Sequence, residues 1–261
     1  MSRASKSKGK SRPRTEPGAG YFQQTHRPIH CLVFLLPLLV AYEAGLAVAH
    51  ATLPFAEPPK LVAVDLLLRF LAVFGATGYH LPALAIVAIL VSWQVASKQP
   101  WQVQWPVLLG MTGESLLLAL GLHAVKLGMD RAASAASALS AGVRSEVWFE
   151  QLILSLGAGI YEELVFRLIL ISVLSLVLVD ALRIPKEIAL SAIIVLSSVG
   201  FAAMHYPPFG SDAFVAGQFA FRMLAGGFLA SVFVLRGFAV AVGTHAFYDI
   251  VVFTATAVMA E

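Results

Sequence analysis

Apolar runs about as long as a lipid bilayer is thick recur along this chain, and they leave few folds open to it. They occupy 31–50, 81–96, 106–125, 152–179, 188–205, 213–235 and 238–258, with a shorter run at 61–77. Backbone surrounded by hydrocarbon must satisfy its own N–H and C=O groups, and a helix of about 20 residues crosses the roughly 30 Å apolar core. Of the 261 residues, 59% are hydrophobic and only 13% charged, which excludes an ordinary soluble domain. The expectation is an all-α fold, a polytopic membrane bundle of about eight transmembrane helices forming one domain over 31–261. The sequence contains no internal repeat and no sign of a second domain.

The net charge of +3 originates before the first run, where Arg3, Lys6, Lys8, Lys10, Arg12, Arg14 and Arg27 face only Glu16. This segment is rich in Ser, Gly and Pro and almost lacks large apolar residues before Tyr21. Residues 1–30 therefore read as a disordered basic tail held on the cytoplasmic side by the positive-inside bias, not as a nucleic-acid-binding arm. The expected location is the cell inner membrane with a cytoplasmic N-terminus. A signal peptide ending at Ala47-Val48-Ala49 is disfavoured, because its apolar run is long, starts late and contains Pro37 and Glu43. The single cysteine, Cys31, offers no intramolecular disulfide.

Charges inside the apolar runs are costly, at about 2.5–3.5 kcal/mol each near a bilayer centre, so they should face protein or a wet cavity. The densest set lies in Gly157-Ala-Gly-Ile-Tyr-Glu-Glu-Leu-Val-Phe-Arg167. At about 100° per residue, Glu163 and Arg167 fall about 40° apart on one face, placed for an ion pair, whereas Glu162 points about 100° away and is left for chemistry. Gly157 and Gly159 lower the barrier to bending just before the acidic pair. A helix over 152–179 would measure about 42 Å, so it must tilt, kink or project.

Other polar residues read as structural. Glu43 and Glu114 suit binding to neighbouring helices, and His123 has no evident partner. Asp65 and Arg69 make 61–77 either a short span with an internal ion pair or an interfacial amphipathic helix. Arg222 calls for a partner on a neighbouring helix. Trp93, Trp101 and Trp105 suit interfacial anchoring, a polar connection containing a surface helix fills 126–150, and Gly226 with Gly227 permits close backbone contact.

His205 ends the run at 188–205, where Tyr206-Pro207-Pro208 stops the helix, and His245 and Asp249 share one face of the last run. Taken singly, a histidine on an apolar helix is more often a hydrogen-bonded core residue. A depth count at about 1.5 Å per residue brings them together. Glu162 lies about 15 Å inside the face where its run begins, His205 returns to that face, and His245 descends about 10 Å from the opposite one. All can line one cavity.

Glu162-Glu163-x-x-x-Arg167, Phe201-x-x-x-His205 and His245-x-x-x-Asp249, in this order on successive runs, resemble the three motifs of the CAAX-protease and bacteriocin-processing family of intramembrane endopeptidases. The resemblance covers 157–249, including Gly226-Gly227 and Arg236-Gly237. It implies hydrolysis of peptide bonds within the bilayer. Glu162 would be the general base, His205 would position and activate the attacking water, and His245 with Asp249 would stabilise the oxyanion. Eukaryotic members usually carry Asn at the position of Asp249, and an ionised carboxylate can only accept hydrogen bonds. Asp249 is therefore either protonated or the group that orients His245 and keeps it cationic. The resemblance favours catalysis with no metal. Zinc, held by Glu162, His205, His245 and Asp249, is the alternative, although no His-Glu-x-x-His segment is present.

The partners implied are the lipid bilayer and a membrane-associated peptide or protein substrate, with prenylated proteins among the candidates, and no nucleic acid. Two other functions fit buried Glu, His and Asp: an ion-coupled transporter, weakened by the missing repeat, and a non-catalytic immunity or scaffold protein. Eight spans put the cavity mouth on the cytoplasmic side, while an interfacial 61–77 reverses every later segment.

Overall fold

The computed structural model describes residues 20–52, 61–134 and 148–259. Most of the basic tail, the loop containing Pro54, Pro58 and Pro59, and the middle of the 126–150 connection lie outside them. Regular structure among the described residues is helical throughout. The elements are α1 (Tyr21–Gln24), α2 (Pro28–Thr52), α3 (Val62–Val73), α4 (Leu81–Ser97), α5 (Trp105–Ser134), α6 (Trp148–Glu163), α7 (Leu170–Ser175), α8 (Lys186–Ala203), α9 (Ala216–Arg236) and α10 (Phe238–Met259). Two π-helical turns, Leu164–Ile169 and Leu176–Ala181, continue α6 and α7, so that Trp148–Ala181 is one rod of 34 residues, about 50 Å long.

Among the described residues, six stretches are long and apolar enough to cross a membrane: Pro28–Ala49, Trp105–Arg131, Trp148–Ala181, Lys186–Ala203, Ala216–Arg236 and Phe238–Thr256. With the shorter α3 and α4 they make eight helices, in agreement with the expected all-α membrane bundle. Their outward faces are apolar: Leu109, Leu117, Val195 and Leu235 are 72%, 71%, 56% and 69% exposed. Water would penalise such a surface and hydrocarbon would not. The protein is an integral membrane protein.

α3 has only 12 residues, about 18 Å, and falls short of a bilayer core. It is amphipathic: Arg69 Nε and Asp65 Oδ2 pair at 2.7 Å on its exposed face, while Ala63 and Val64 are buried. α5 runs nine residues beyond the 106–125 stretch, as Lys126 and Asp130 pair along its surface at 2.9 Å. Order also begins earlier than the expected tail boundary. Within 20–30, Thr25 and His30 are fully buried, and the Arg236 guanidinium lies 4.1 Å from the Phe22 ring centroid and 5.3 Å from that of Tyr21. A buried arginine draws the aromatic residues onto the bundle.

α10 is the hub. More than half of its most apolar stretch (56%) is buried, against at most 39% for any other span, and it packs on α2, α5, α6 and α9. Small residues set its approach to α6: a Cβ on Gly159 would lie 2.7 Å from the Ala246 backbone nitrogen. Gly157 sits similarly against the Tyr42 ring. These glycines thus serve close approach, not the bend expected of them; the departure from α geometry follows the acidic pair, at Leu164–Ile169. Gly226 does bring α9 against α8, its Cβ position 3.0 Å from Ser198 Cα. Gly237 alone joins α9 to α10, at φ +92° and ψ 173°. That conformation is essentially restricted to glycine, and it permits so abrupt a reversal.

Candidate active site

The 100° offset between Glu162 and Glu163 separates them as expected. Glu162 lines a cavity of about 1030 Å3, whose wall includes Phe201, His205, Arg222, His245 and Asp249. Glu163 is not part of that lining and is fully buried beside Arg167, also fully buried, with Arg167 Nε 3.1 Å from Glu163 Oε2. The i,i+4 pair read from the sequence is present. Arg167 also donates from Nη2 to the Gly226 carbonyl at 3.3 Å, and its guanidinium lies 4.6 Å from the Phe201 ring centroid. The ion pair, one hydrogen bond and an aromatic face together offset part of the desolvation of a buried cation.

Glu163 has a second partner that its spacing does not reveal. The Nδ1–H of His245 donates to Glu163 Oε1 at 2.9 Å. This bond turns the other ring nitrogen toward the cavity carboxylates: His245 Nε2 lies 3.6 Å from Asp249 Oδ2 and 4.0 Å from Glu162 Oε2. Only the crossing of α6 and α10 at Gly159 and Ala246 makes this chain of contacts possible, so helix packing determines the direction in which His245 points.

His205 is not on a helix. α8 ends at Ala203, and His205 occupies the turn beyond it. Its Nδ1–H donates to the Phe201 carbonyl at 2.9 Å, and a carbonyl can only accept, so the neutral ring carries its lone pair on Nε2. Burial, followed by the charge of nearby Arg222, pulls the His205 pKa below its ordinary value to about 4. The Phe201 ring is a shared platform: its centroid is 5.3 Å from that of His205, 5.7 Å from His245 and 5.7 Å from Phe166. The i,i+4 spacing to His205 hinted at the first contact; the others come from different helices.

The remaining intramembrane charges resolve separately. Glu114 pairs with Arg236 and accepts the Tyr21 hydroxyl at 2.7 Å, a structural use in keeping with its reading. Glu43 contacts His80 and accepts from Tyr161 at 3.3 Å. Arg222 departs from expectation, because its partner is Asp212 in the loop before α9 and not a residue of a neighbouring helix. An acidic residue ten positions away leaves no periodic signature.

Zinc fits this donor set poorly. Among the described residues no three His, Cys, Asp or Glu side chains are grouped to share one ion.

Fold and site define a class: a polytopic helical membrane protein whose later helices form a cavity lined by carboxylates and imidazoles. Within it, residues 144–251 match the family model for type II CAAX prenyl endopeptidases, Rce1-like. The matched region contains the three motifs that resemble the CAAX-protease and bacteriocin-processing family, and the match agrees with that resemblance. No curated protein and no solved structure matches the chain.

Proposed function

We propose that this protein is an intramembrane endopeptidase that hydrolyses peptide bonds of membrane-associated substrates with a water activated by Glu162 and His205. The observation that carries this reading is the convergence of Glu162, His205, His245 and Asp249 on one cavity, within a region that matches the Rce1-like endopeptidases. A water held between the Glu162 carboxylate and the Nε2 lone pair of His205 gives up a proton to Glu162 as its oxygen attacks the scissile carbonyl. The developing oxyanion takes a hydrogen bond from His245 Nε2–H. Glu163 anchors that imidazole through Nδ1, and Asp249 lies beside Nε2, which gives the Asp249 carboxylate the role of orienting and charging His245 instead of donating to the oxyanion. Glu162 then returns its proton to the leaving amine, and the tetrahedral intermediate collapses to acid and amine.

The substrate class is membrane-associated peptides and proteins, prenylated chains included, and the basic N-terminal residues are assigned to the cytoplasmic face of the cell inner membrane. The test is cleavage of a mixed membrane-peptide library by purified wild type and Glu162→Gln, each with and without a strong chelator. Cleavage by wild type alone, insensitive to the chelator, is the expected result. Equal cleavage by both proteins refutes Glu162 as the base, and loss of wild-type activity to the chelator refutes metal-free catalysis.

A further inference from the structure

His205 occupies a turn just beyond α8, tied to that helix by a long N–H bond to the Ala202 carbonyl at 3.4 Å, yet its ring must keep one orientation for Nε2 to face the cavity. The Phe201 carbonyl of α8 anchors the ring at Nδ1, and further restraint on the backbone comes from the following loop and from α9. The His205 carbonyl accepts the Asp212 N–H at 3.1 Å. Gly210 packs so closely that a Cβ there would lie 2.2 Å from that same carbonyl oxygen. The Asp212 carboxylate is in turn held by Arg222 Nη2, and the Arg222 guanidinium lies 5.2 Å from the ring centroid of Tyr206, the residue after His205. Tyr206 is wedged against Phe214 and Phe219, with centroids 5.4 and 6.0 Å away. Arg222 therefore grips the loop on both sides of the His205 backbone.

We propose that Asp212 and Arg222 form a positioning pair that locks His205 in the Nδ1–H tautomer, with Nε2 presented to the cavity. Resting on the catalytic reading of His205, this assigns the arginine within an apolar helix to the loop that completes the site. Free imidazole favours the opposite tautomer, with the proton on Nε2, which would block that nitrogen as an acceptor; an anchored ring is needed to hold the minority form. The pair also acts through charge. Arg222 disfavours protonation of His205 and Asp212 favours it; from the other walls, His245 and Asp249 of α10 and Glu162 of the α6 rod face the same space.

Nitrogen NMR of histidine-labelled protein in bilayers, with His205 assigned by comparison with His205→Ala, reads tautomer and titration directly and needs no substrate. Wild type should show one Nδ1–H tautomer at neutral pH. Arg222→Gln and Asp212→Asn should each show a mixture, and Arg222→Gln should titrate at higher pH. A single unchanged tautomer in both variants overturns the proposal. On a cleaved library peptide, both variants should lose at least tenfold in kcat with KM within twofold, and the exchanged pair Asp212→Arg/Arg222→Asp should recover part of the loss. Recovery would exclude a role for Arg222 in binding a substrate anion, since the exchange would abolish that; a folded exchange variant no better than the worse single variant counts against the pair. If the tautomer shifts but His205→Ala retains activity, the catalytic reading of His205 fails and the positioning pair stands.

Discussion

Truncating Glu163 to Ala tests how the site is held together. Its carboxylate meets two partners, Arg167 Nε at 3.1 Å and His245 Nδ1 at 2.9 Å, and both Glu163 and Arg167 are fully buried. Removing one member of a buried pair leaves the other charge uncompensated, at a cost of about 3–5 kcal/mol. Releasing the His245 N–H adds about 1–3 kcal/mol, less than additively because the two contacts share one side chain. An expected loss of about 4–6 kcal/mol is a large share of a typical stability of about 5–15 kcal/mol. Thermal unfolding in nanodiscs should therefore shift downward by about 10 °C or more, with reduced yield of monodisperse protein. Glu163→Gln retains an acceptor oxygen for His245 and should lose less. Adding Arg167→Met to Glu163→Ala removes the stranded cation and should recover part of the loss. An unfolding temperature for Glu163→Ala within two degrees of wild type would refute this account of the pair.

Gly159→Val should drive α6 and α10 apart at Ala246, costing about 1–3 kcal/mol, and should reduce kcat because Glu162 and His245 move relative to each other; thermal unfolding and steady-state cleavage measure the two effects. Glu114→Gln should cost about 2 kcal/mol by weakening the contacts to Arg236 and Tyr21, yet leave kcat within twofold, since Glu114 does not line the cavity. Glu162→Gln should reverse that pattern, with an unchanged unfolding temperature and cleavage lower by a factor of about 100 to 10,000.

Much of this protein is determined locally. Apolar runs of bilayer length impose helices because lipid offers the backbone no partner, and α8, α9 and α10 begin and end within a few residues of those runs. The Glu163–Arg167 pair follows from helical periodicity alone, as does the divergence of Glu162. The sequence also marks His205, His245 and Asp249 as polar intrusions that need an explanation. Tertiary structure decides which partner each intrusion takes. Glu163 reaches His245 because two small residues, Gly159 and Ala246, let α6 and α10 touch; Arg222 turns to Asp212 because a loop returns past His205. Such contacts depend on the distance and angle between elements remote in sequence, and no period along the chain encodes those. Residue type and spacing thus determine the helices and the charges they must shelter, while helix packing decides which nitrogen of His245 faces the cavity.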